Sequence, residues 1–181
     1  MHAIDAQASS LVLVDYQERL MPAIHNAAQV LSTAQLLARA ARLLEIPVLG
    51  TEQNPAGLGP NVEAVKTECE TTVIKTHFNA CEDGLLPALS AAKDSPQVVV
   101  AGCEAHVCML QTALGLRRAG KQVWVVANAS GSRRPEDHAA AMQRLQHAGA
   151  NILTHEMVLF EWLAHSQHPR FREVLALIKA S

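Results

Sequence analysis

Short apolar runs recur along this chain, and each is too short to form a helix of ordinary length. In the clearest of them the apolar residues follow one another without polar residues between them, as in QVVVAG at 97–102. This pattern is typical of strands that are buried on both faces of a parallel sheet. Six runs of this kind predict six strands, at 10–15, 47–51, 71–74, 97–102, 122–127 and 151–154.

The segments between these runs carry the spacing of amphipathic helices. In the first of them, 27–44, apolar residues recur three or four positions apart, and Pro47 marks where the helix has stopped. Further helices are predicted at 84–92, 108–119 and 135–148, with two closing helical segments after 154, whereas the Pro- and Gly-rich 52–60 predicts a loop. The alternation predicts an α/β fold with three layers, in which helices cover both faces of a six-stranded, mostly parallel sheet.

Length and charge limit the remaining possibilities. The 181 residues contain no repeat or linker, so we expect one domain spanning 1–181. A net charge of −2 gives no basic field for nucleic acid or an anionic membrane, and only 3% of residues are aromatic, which disfavours base stacking. We therefore expect a small-molecule substrate, with no nucleic-acid or membrane partner.

The cysteine content and the N-terminus indicate a cellular location. Four cysteines are too few for a disulfide framework in a chain of this size. The N-terminal residues have no signal-peptide pattern, and no apolar run is long enough to cross a bilayer. The sequence thus predicts a cytoplasmic protein with reduced thiols.

Three polar residues stand after predicted strands, at the sheet edge where the active sites of open parallel sheets lie. Asp15 and Lys75 follow the first and third strands, and Cys108 lies at the start of the helix after the fourth. Taken singly, each has an ordinary structural explanation: a turn former, a solvated charge and a small core residue. Taken together, they suggest chemistry, because a helix N-terminus and Lys75 favour a thiolate at Cys108, and Asp15 can serve as general base.

Three longer segments carry a resemblance to a known family. They are LVLVDYQ at 11–17, VIKTHFNA at 73–80 and VVVAGCEAHVCMLQTA at 98–113. In order and spacing they resemble the isochorismatase-like cysteine hydrolases, the family that contains nicotinamidases and N-carbamoyl amino acid amidases, over nearly the whole chain. TEQNPAGLG at 51–59, SGSR at 130–133 and the closing HPRFREVLALIK are most similar to small isochorismatase-domain hydrolases of unassigned substrate.

The resemblance implies a catalytic triad of Asp15, Lys75 and Cys108. In that family the Cys is the nucleophile, the Asp is the general base and acid, and the Lys is their electrostatic partner. The family's non-proline cis peptide would fall between Cys103 and Glu104, where it would turn the Glu104 N–H beside that of Cys108 to form an oxyanion hole. The resemblance thus implies cleavage of an amide or related acyl bond through a thioacyl intermediate, without a cofactor, in a homo-oligomer.

Two departures from better-known members narrow this expectation. Nicotinamidases carry an Asp-x-His pair after the second strand that helps to hold a metal ion, but residues 51–54 read TEQN here, so no metal site is expected. Isochorismatases proper hydrolyse a vinyl ether and lack the nucleophile, so the presence of Cys108 favours acyl chemistry. A zinc site built on Cys103, His106 and Cys108 would lack a fourth ligand at regular spacing.

Several polar residues near the three triad positions are candidates for a substrate pocket. They are Gln17, Glu52, His77, His106, Ser130 and Arg133. For Ser130 and Arg133, a role at the start of the helix before Pro135 fits equally well. A different class of function also remains open: a catalytically idle binding or assembly protein that keeps the fold.

Overall fold

A computed structural model describes residues 3–180, and its centre is a six-stranded sheet in which every strand is parallel to its neighbours. The strands are β1 (Ser9–Val14), β2 (Val48–Gln53), β3 (Thr71–Lys75), β4 (Gln97–Gly102), β5 (Gln122–Val126) and β6 (Asn151–Leu153). Their spatial order is β3-β2-β1-β4-β5-β6. The predicted α/β fold with a parallel sheet is confirmed.

Helices cover both faces of this sheet. They are α1 (Ala27–Leu43), α2 (Pro55–Leu58), α3 (Glu63–Lys66), α4 (Leu85–Ala92), α5 (Leu110–Arg118), α6 (Pro135–His147), α7 (His155–Leu163) and α8 (Phe171–Lys179). Short 3-10 turns occupy Ala6–Ala8, Met21–Ala23, Ala80–Asp83 and Ala127–Ala129. None of the helices within residues 3–180 is both long and apolar enough to cross a membrane.

The strands divide the core into two layers. Leu11 and Leu13 of β1 pack in the same cluster as α1, α7 and α8, whereas Val12 and Val14 pack with α4, α5 and α6 on the other face. All six residues of β1 are buried, because both faces of this central strand are covered. The continuous apolar run of the sequence follows from this double burial.

The predicted loop at 52–60 begins too early. Strand β2 continues to Gln53 and β3 to Lys75, because these two residues are paired in register at the end of the parallel ladder. The polar side chains of both residues end the apolar pattern before the strands themselves end. The rest of the segment contains the short helix α2.

The helix predicted at 108–119 also begins differently. Cys108 lies in a π-helical turn, Ala105–Met109, and regular α-helix starts only at Leu110. Helix α5 then runs to Arg118, close to the predicted end. The turn that carries Cys108 thus lies between the end of β4 and the first turn of α5.

The strand order places a crevice between β1 and β4. The chain proceeds outward from β1 to β3 and returns to lay β4 on the other side of β1, and ligands bind in such folds where the order reverses. Gly102 ends β4 so close to Val14 that an added Cβ would collide with the Val14 carbonyl oxygen and side chain. A glycine is therefore needed for the two strands to meet beside Asp15.

Candidate active site

Asp15 turns the chain sharply at the end of β1. Its φ is 55°, a left-handed conformation that few residues other than glycine adopt and that Asp tolerates better than most. Its backbone N–H donates to the Thr51 carbonyl oxygen at 3.2 Å, and its side chain is fully buried. Strain of this kind occurs where the surrounding structure holds a residue for a purpose, so the carboxylate is a candidate for chemistry.

A buried ion pair joins Asp15 to Lys75. Asp15 Oδ2 lies 2.7 Å from Lys75 Nζ, and neither side chain is exposed. Thr51 Oγ1 donates to Asp15 Oδ1 at 2.6 Å, and Lys75 Nζ donates to Gln53 Oε1 at 2.7 Å and to the His77 carbonyl oxygen at 3.4 Å. Opposite charge and added hydrogen bonds are what a charged pair needs to persist without water.

The two oxygens of Asp15 differ in their surroundings. Oδ1 accepts the Thr51 hydroxyl, whereas Oδ2 is paired with the Lys75 ammonium. A carboxylate oxygen has more than one lone pair, so Oδ2 can pair with Lys75 and still accept a proton. An oxygen in this situation is suited to receive a proton.

Cys108 completes this group from the π-helical turn. Its thiol lies close enough to the side chains of Asp15 and Lys75 for both to act on its pKa, and the residue is 6% exposed. Burial and then the Asp15 carboxylate raise the pKa of the Cys108 thiol to about 12, while Lys75 opposes them. The expected grouping of the three residues at one sheet edge is therefore present in the structure.

The surroundings of the Cys108 thiol oppose the expectation that the start of the helix favours a thiolate. The raised pKa means that Cys108 keeps its proton at neutral pH, because desolvation and a neighbouring carboxylate outweigh the favourable charge of Lys75. A neutral thiol next to a carboxylate needs that carboxylate to remove its proton during a reaction.

The segment between β4 and the π-helical turn is fastened to a neighbouring loop. The Cys103–Glu104 peptide is cis. The Ala105 N–H donates to the Gly131 carbonyl oxygen at 2.7 Å, and the Gly131 N–H donates to the Gly102 carbonyl oxygen at 3.2 Å. The backbone on both sides of the cis peptide is thus held by the loop that follows β5.

Arg133 lies in the same loop and binds Glu104 directly. Its backbone N–H and its Nε both donate to Glu104 Oε2 at 3.0 Å. The Arg133 side chain is 62% exposed, whereas that of Glu104 is 10% exposed. His106 Nδ1 lies 3.0 Å from Ser132 Oγ, and its Nε2 lies 3.9 Å from Asp137 Oδ2. Arg133 and His106 both keep some exposure near the turn that bears Cys108.

The side chains of Gln17, Glu52 and Ser130 bind backbone groups, not the Asp15–Lys75 pair. Gln17 donates to the Gln53 and Gly59 carbonyl oxygens and accepts the Gln53 N–H, so it fastens the chain after β2. Ser130 Oγ donates to the Val126 carbonyl oxygen and accepts the Gly102 N–H. The expectation of substrate contacts from these two buried residues is not supported, because backbone groups occupy their polar atoms.

Glu52 faces away from Asp15. Alternation along β2 places Thr51 and Gln53 on the face of the ion pair and Glu52 on the opposite face, where its Oε1 accepts the Asn61 N–H at 2.8 Å. Glu52 therefore lies outside the group formed by Asp15, Lys75 and Cys108, and its contact with substrate stays a prediction. Strand β2 extends beyond its predicted end at Thr51, so its alternation includes Glu52 and Gln53.

His77 lies on the surface, two residues after Lys75. Its side chain is 63% exposed, and its Nδ1 lies 2.9 Å from Asp83 Oδ1. Hydrogen bonds from the His77 backbone and side chain, followed by the Thr76 N–H, lower the pKa of Asp83 to about 2. Asp83 thereby holds the turn whose His77 carbonyl oxygen receives a hydrogen bond from Lys75.

Sequence reasoning missed Thr51 and Gln53 as members of the site. The available signal was their spacing: two polar residues two positions apart at the end of a predicted strand share one face of the sheet. Within residues 3–180, no group of three or more His, Cys, Asp or Glu side chains could hold a metal ion. The four cysteines, including Cys103 in the core, are free thiols.

Comparison with known proteins identifies the family. The isochorismatase domain model matches residues 9–157, and the chain belongs to the isochorismatase family. It is 39% identical over 176 residues to human isochorismatase domain-containing protein 2, covering 95% of this chain and 83% of the relative. It is 40% identical over 168 residues to zebrafish isochorismatase domain-containing protein 1, covering 92% of this chain but only 59% of that relative's length.

Solved structures share the fold over almost the full chain. A Caenorhabditis elegans structure described as MAR1 ribonuclease has 36% identity and a TM-score of 0.92, covering 99% of this chain and 94% of the other. The Escherichia coli YcaC gene product, described as an octameric hydrolase of unknown specificity, has 22% identity and a TM-score of 0.88, covering 99% and 98%. The second similarity concerns the fold alone.

Proposed function

We propose that this protein is a cysteine hydrolase that cleaves an amide or related acyl bond of a small molecule. In this proposal Cys108 is the nucleophile, Asp15 is the general base and acid, and Lys75 stabilises the charges of both. The observation that carries the proposal is the fully buried Asp15–Lys75 ion pair, which lies near enough to the Cys108 thiol to act on its pKa. The cost of burying such a pair is understandable where its charges serve a reaction.

The first step uses the neutral thiol. As the Cys108 Sγ attacks the substrate carbonyl carbon, its proton passes to Asp15 Oδ2, and the carbonyl π electrons move to oxygen. Lys75 remains beside the carboxylate throughout, at 2.7 Å in the resting enzyme. The raised pKa of Cys108 suits this order of events, because proton removal accompanies attack rather than preceding it.

The oxyanion of the tetrahedral intermediate is assigned to the backbone N–H groups of Glu104 and Cys108. Backbone donors held rigidly toward a developing negative charge are among the largest contributors to catalysis. The hydrogen bonds of Gly131 and Arg133 to the segment around Glu104 supply such rigidity.

Collapse of the intermediate completes acylation. The carbonyl reforms, the bond to the leaving group breaks, and Asp15 returns the proton to that group, leaving a thioester on Cys108. Asp15 then accepts a proton from water as the water attacks the thioester. Expulsion of the Cys108 sulfur and return of the proton to it regenerate the enzyme, so that one amide and one water give one acid and one amine.

The remaining features of the proposal concern binding and assembly. Arg133, His77 and the partly exposed His106 are polar residues near the site, and we assign them to the substrate entrance. No cofactor is needed for the chemistry above. We also propose a homo-oligomer, as the resemblance to the family implies, and a reducing, cytoplasmic location, with which the free thiols are compatible.

The test is a panel of primary amides, carbamoyl compounds and short acyl esters, assayed with wild-type protein and Cys108→Ala. We expect turnover of at least one class, with a thioacyl adduct on Cys108 in intact-mass spectra, and no turnover by the variant. An RNA oligonucleotide belongs in the panel because of the name of the C. elegans relative. Hydrolysis that persists in Cys108→Ala would overturn the proposal, and binding of panel compounds without an adduct would favour an idle binding protein.

A further inference from the structure

The Thr51 hydroxyl, the only donor of that side chain, binds one oxygen of Asp15. Its hydroxyl donates to Asp15 Oδ1 at 2.6 Å, and both residues are completely buried. At the same time, the Thr51 carbonyl oxygen accepts the Asp15 N–H and Asn61 Nδ2. Thr51 therefore holds both the backbone and the carboxylate of Asp15.

We propose that Thr51 is a positioning residue that reserves Asp15 Oδ2 for the Cys108 proton by occupying Oδ1. This inference rests on the proposed function, because it acts through Asp15 as the base. Thr51 contacts Asp15 through Oδ1 and acts on the reaction through that carboxylate.

The surroundings of Asp15 show why such a device is needed. A carboxylate can rotate about its Cβ–Cγ bond, and its two oxygens are chemically alike until hydrogen bonds distinguish them. Thr51 contacts Oδ1 from β2, while Lys75 lies beside Oδ2 from β3. Two neighbouring strands thus fix the orientation of the carboxylate between them.

The position of Lys75 is fixed independently of Thr51. The Gln53 amide oxygen accepts from Lys75 Nζ at 2.7 Å, and the Gln53 Nε2 donates to the Thr76 carbonyl oxygen at 2.7 Å. Gln17 in turn binds both backbone groups of Gln53. Because the ammonium has this second anchor, loss of the Thr51 hydroxyl should affect the carboxylate more than it affects Lys75.

The packing of β2 does not itself demand a hydroxyl at position 51. Valine has nearly the same shape as threonine and a higher preference for strands, so it would fill the same space. Burying a hydroxyl instead of a methyl group is favourable only when the hydroxyl is hydrogen-bonded. The partner that Thr51 has here is the proposed base.

The experiment follows alkylation of Cys108 by iodoacetamide from acid to mildly alkaline pH, which requires no knowledge of the substrate. In this reaction the Sγ–carbon bond forms, the carbon–iodine bond breaks, iodide leaves, and the thiol proton passes to Asp15. The variants are Thr51→Val and Thr51→Ala, which lack the hydroxyl, and Thr51→Ser, which keeps it. Thr33→Val is the matched control, since Thr33 is a buried threonine that donates only within α1.

In the pH range where the rate no longer depends on pH, we expect Cys108 to be alkylated about tenfold more slowly in both hydroxyl-free variants than in wild type. Their acid limb should also move to higher pH by about one unit, because the charged carboxylate has lost a donor that favours it. Thr51→Ser should restore both features, and Thr33→Val should match wild type.

Two results would overturn the inference. The first is a profile of Thr51→Val or Thr51→Ala that superimposes on that of wild type. The second is a fall in the alkylation rate by the same factor at every pH, without a shift of the acidic part of the profile and without recovery in Thr51→Ser. That result would indicate a merely structural role. The variant Asp15→Asn separates this failure from a failure of the proposed function. If Cys108 in Asp15→Asn is alkylated as fast as in wild type, Asp15 is not the base. If it is alkylated slowly, that role of Asp15 stands.

Discussion

Lys75 Nζ lies 2.7 Å from Asp15 Oδ2, and neither side chain has any exposed surface. The two residues come from strands that are separated in the sheet by β2, and they meet only because both strands end at the same edge. Such a pair is expensive to desolvate and adds little to stability relative to apolar residues of similar volume. Its presence at the crevice beside a thiol is therefore better explained by chemistry than by folding.

Removing one partner of this pair should lower the free energy of unfolding more than removing both partners does. Lys75→Met leaves the Asp15 charge buried without compensation, and we expect the free energy of unfolding to fall by about 3 to 5 kcal/mol. The double variant Asp15→Asn with Lys75→Met should recover most of that loss. Urea unfolding followed by circular dichroism measures both quantities.

An ion pair with one exposed partner supplies the control for this comparison. Lys121 Nζ lies 3.1 Å from Asp94 Oδ1, but the Asp94 side chain is 81% exposed. Lys121→Met should therefore cost less than about 1 kcal/mol. Equal losses for Lys75→Met and Lys121→Met would contradict the view that burial makes the Asp15–Lys75 pair different.

The thiol of Cys69 should make the fold sensitive to alkali. Burial, followed by the charges of Glu68 and Glu52, raises the pKa of Cys69 to about 12. The folded state thus favours the protonated thiol, and the associated stability is complete below the pKa of the unfolded chain and lost as pH rises toward about 12. Between about pH 7 and about pH 10 the contribution of Cys69 to this loss should be about 1 to 2 kcal/mol.

Urea unfolding of wild type and Cys69→Ala at both pH values checks this expectation. The variant should lose less stability than wild type over the same interval, whatever its stability at neutral pH. Thr33→Ala, which changes a buried residue without a titrating group, should show the full loss of wild type. Parallel losses in wild type and Cys69→Ala would show that this thiol does not titrate as inferred.

The fold was predictable because its strongest signal is local. An apolar run such as 97–102 coincides with β4, since a strand covered on both faces must be apolar throughout. Strand ends were less predictable. Gln53 and Lys75 pair with each other in the ladder and use their polar side chains in the site, so they look like loop residues in the sequence.

The site was predictable as a set of three residues but not in its electrostatics. The order of the strands brings Asp15, Lys75 and Cys108 to one edge, and this follows from the alternating pattern together with the resemblance to the family. The raised pKa of Cys108 depends on how deeply the thiol is buried, which no local pattern encodes. The orientation of Glu52 likewise depends on where β2 ends.

A methyl group at Gly102 should separate the two strands that form the crevice. An added Cβ would collide with the carbonyl oxygen, Cα and Cβ of Val14 in the neighbouring strand. None of these atoms is the movable end of a flexible side chain. We expect Gly102→Ala to cost about 1 to 3 kcal/mol or more and to slow alkylation of Cys108. Gly57→Ala, whose Cβ would meet only the Asn54 side chain, is the control that should alter neither quantity.

Arg133 should matter for hydrolysis but not for alkylation. Its Nε and backbone N–H both donate to Glu104 Oε2 at 3.0 Å, and Glu104 supplies one of the two proposed oxyanion donors. Arg133→Ala removes the side-chain half of this support, so we expect kcat for the best substrate of the amide panel to fall about tenfold. Alkylation by iodoacetamide forms no oxyanion, and its rate should therefore stay within about twofold of wild type.

The neighbouring Arg134 supplies a matched control for this last prediction. It is exposed and makes no side-chain capping bond at the start of α6, so Arg134→Ala should keep both rates. Comparing kcat with the alkylation rate in the two variants separates support of the oxyanion donors from activation of the thiol. If Arg133→Ala slowed both reactions equally, Arg133 would act on Cys108 or on the fold rather than through Glu104. If it raised KM and left kcat unchanged, Arg133 would instead bind the substrate directly.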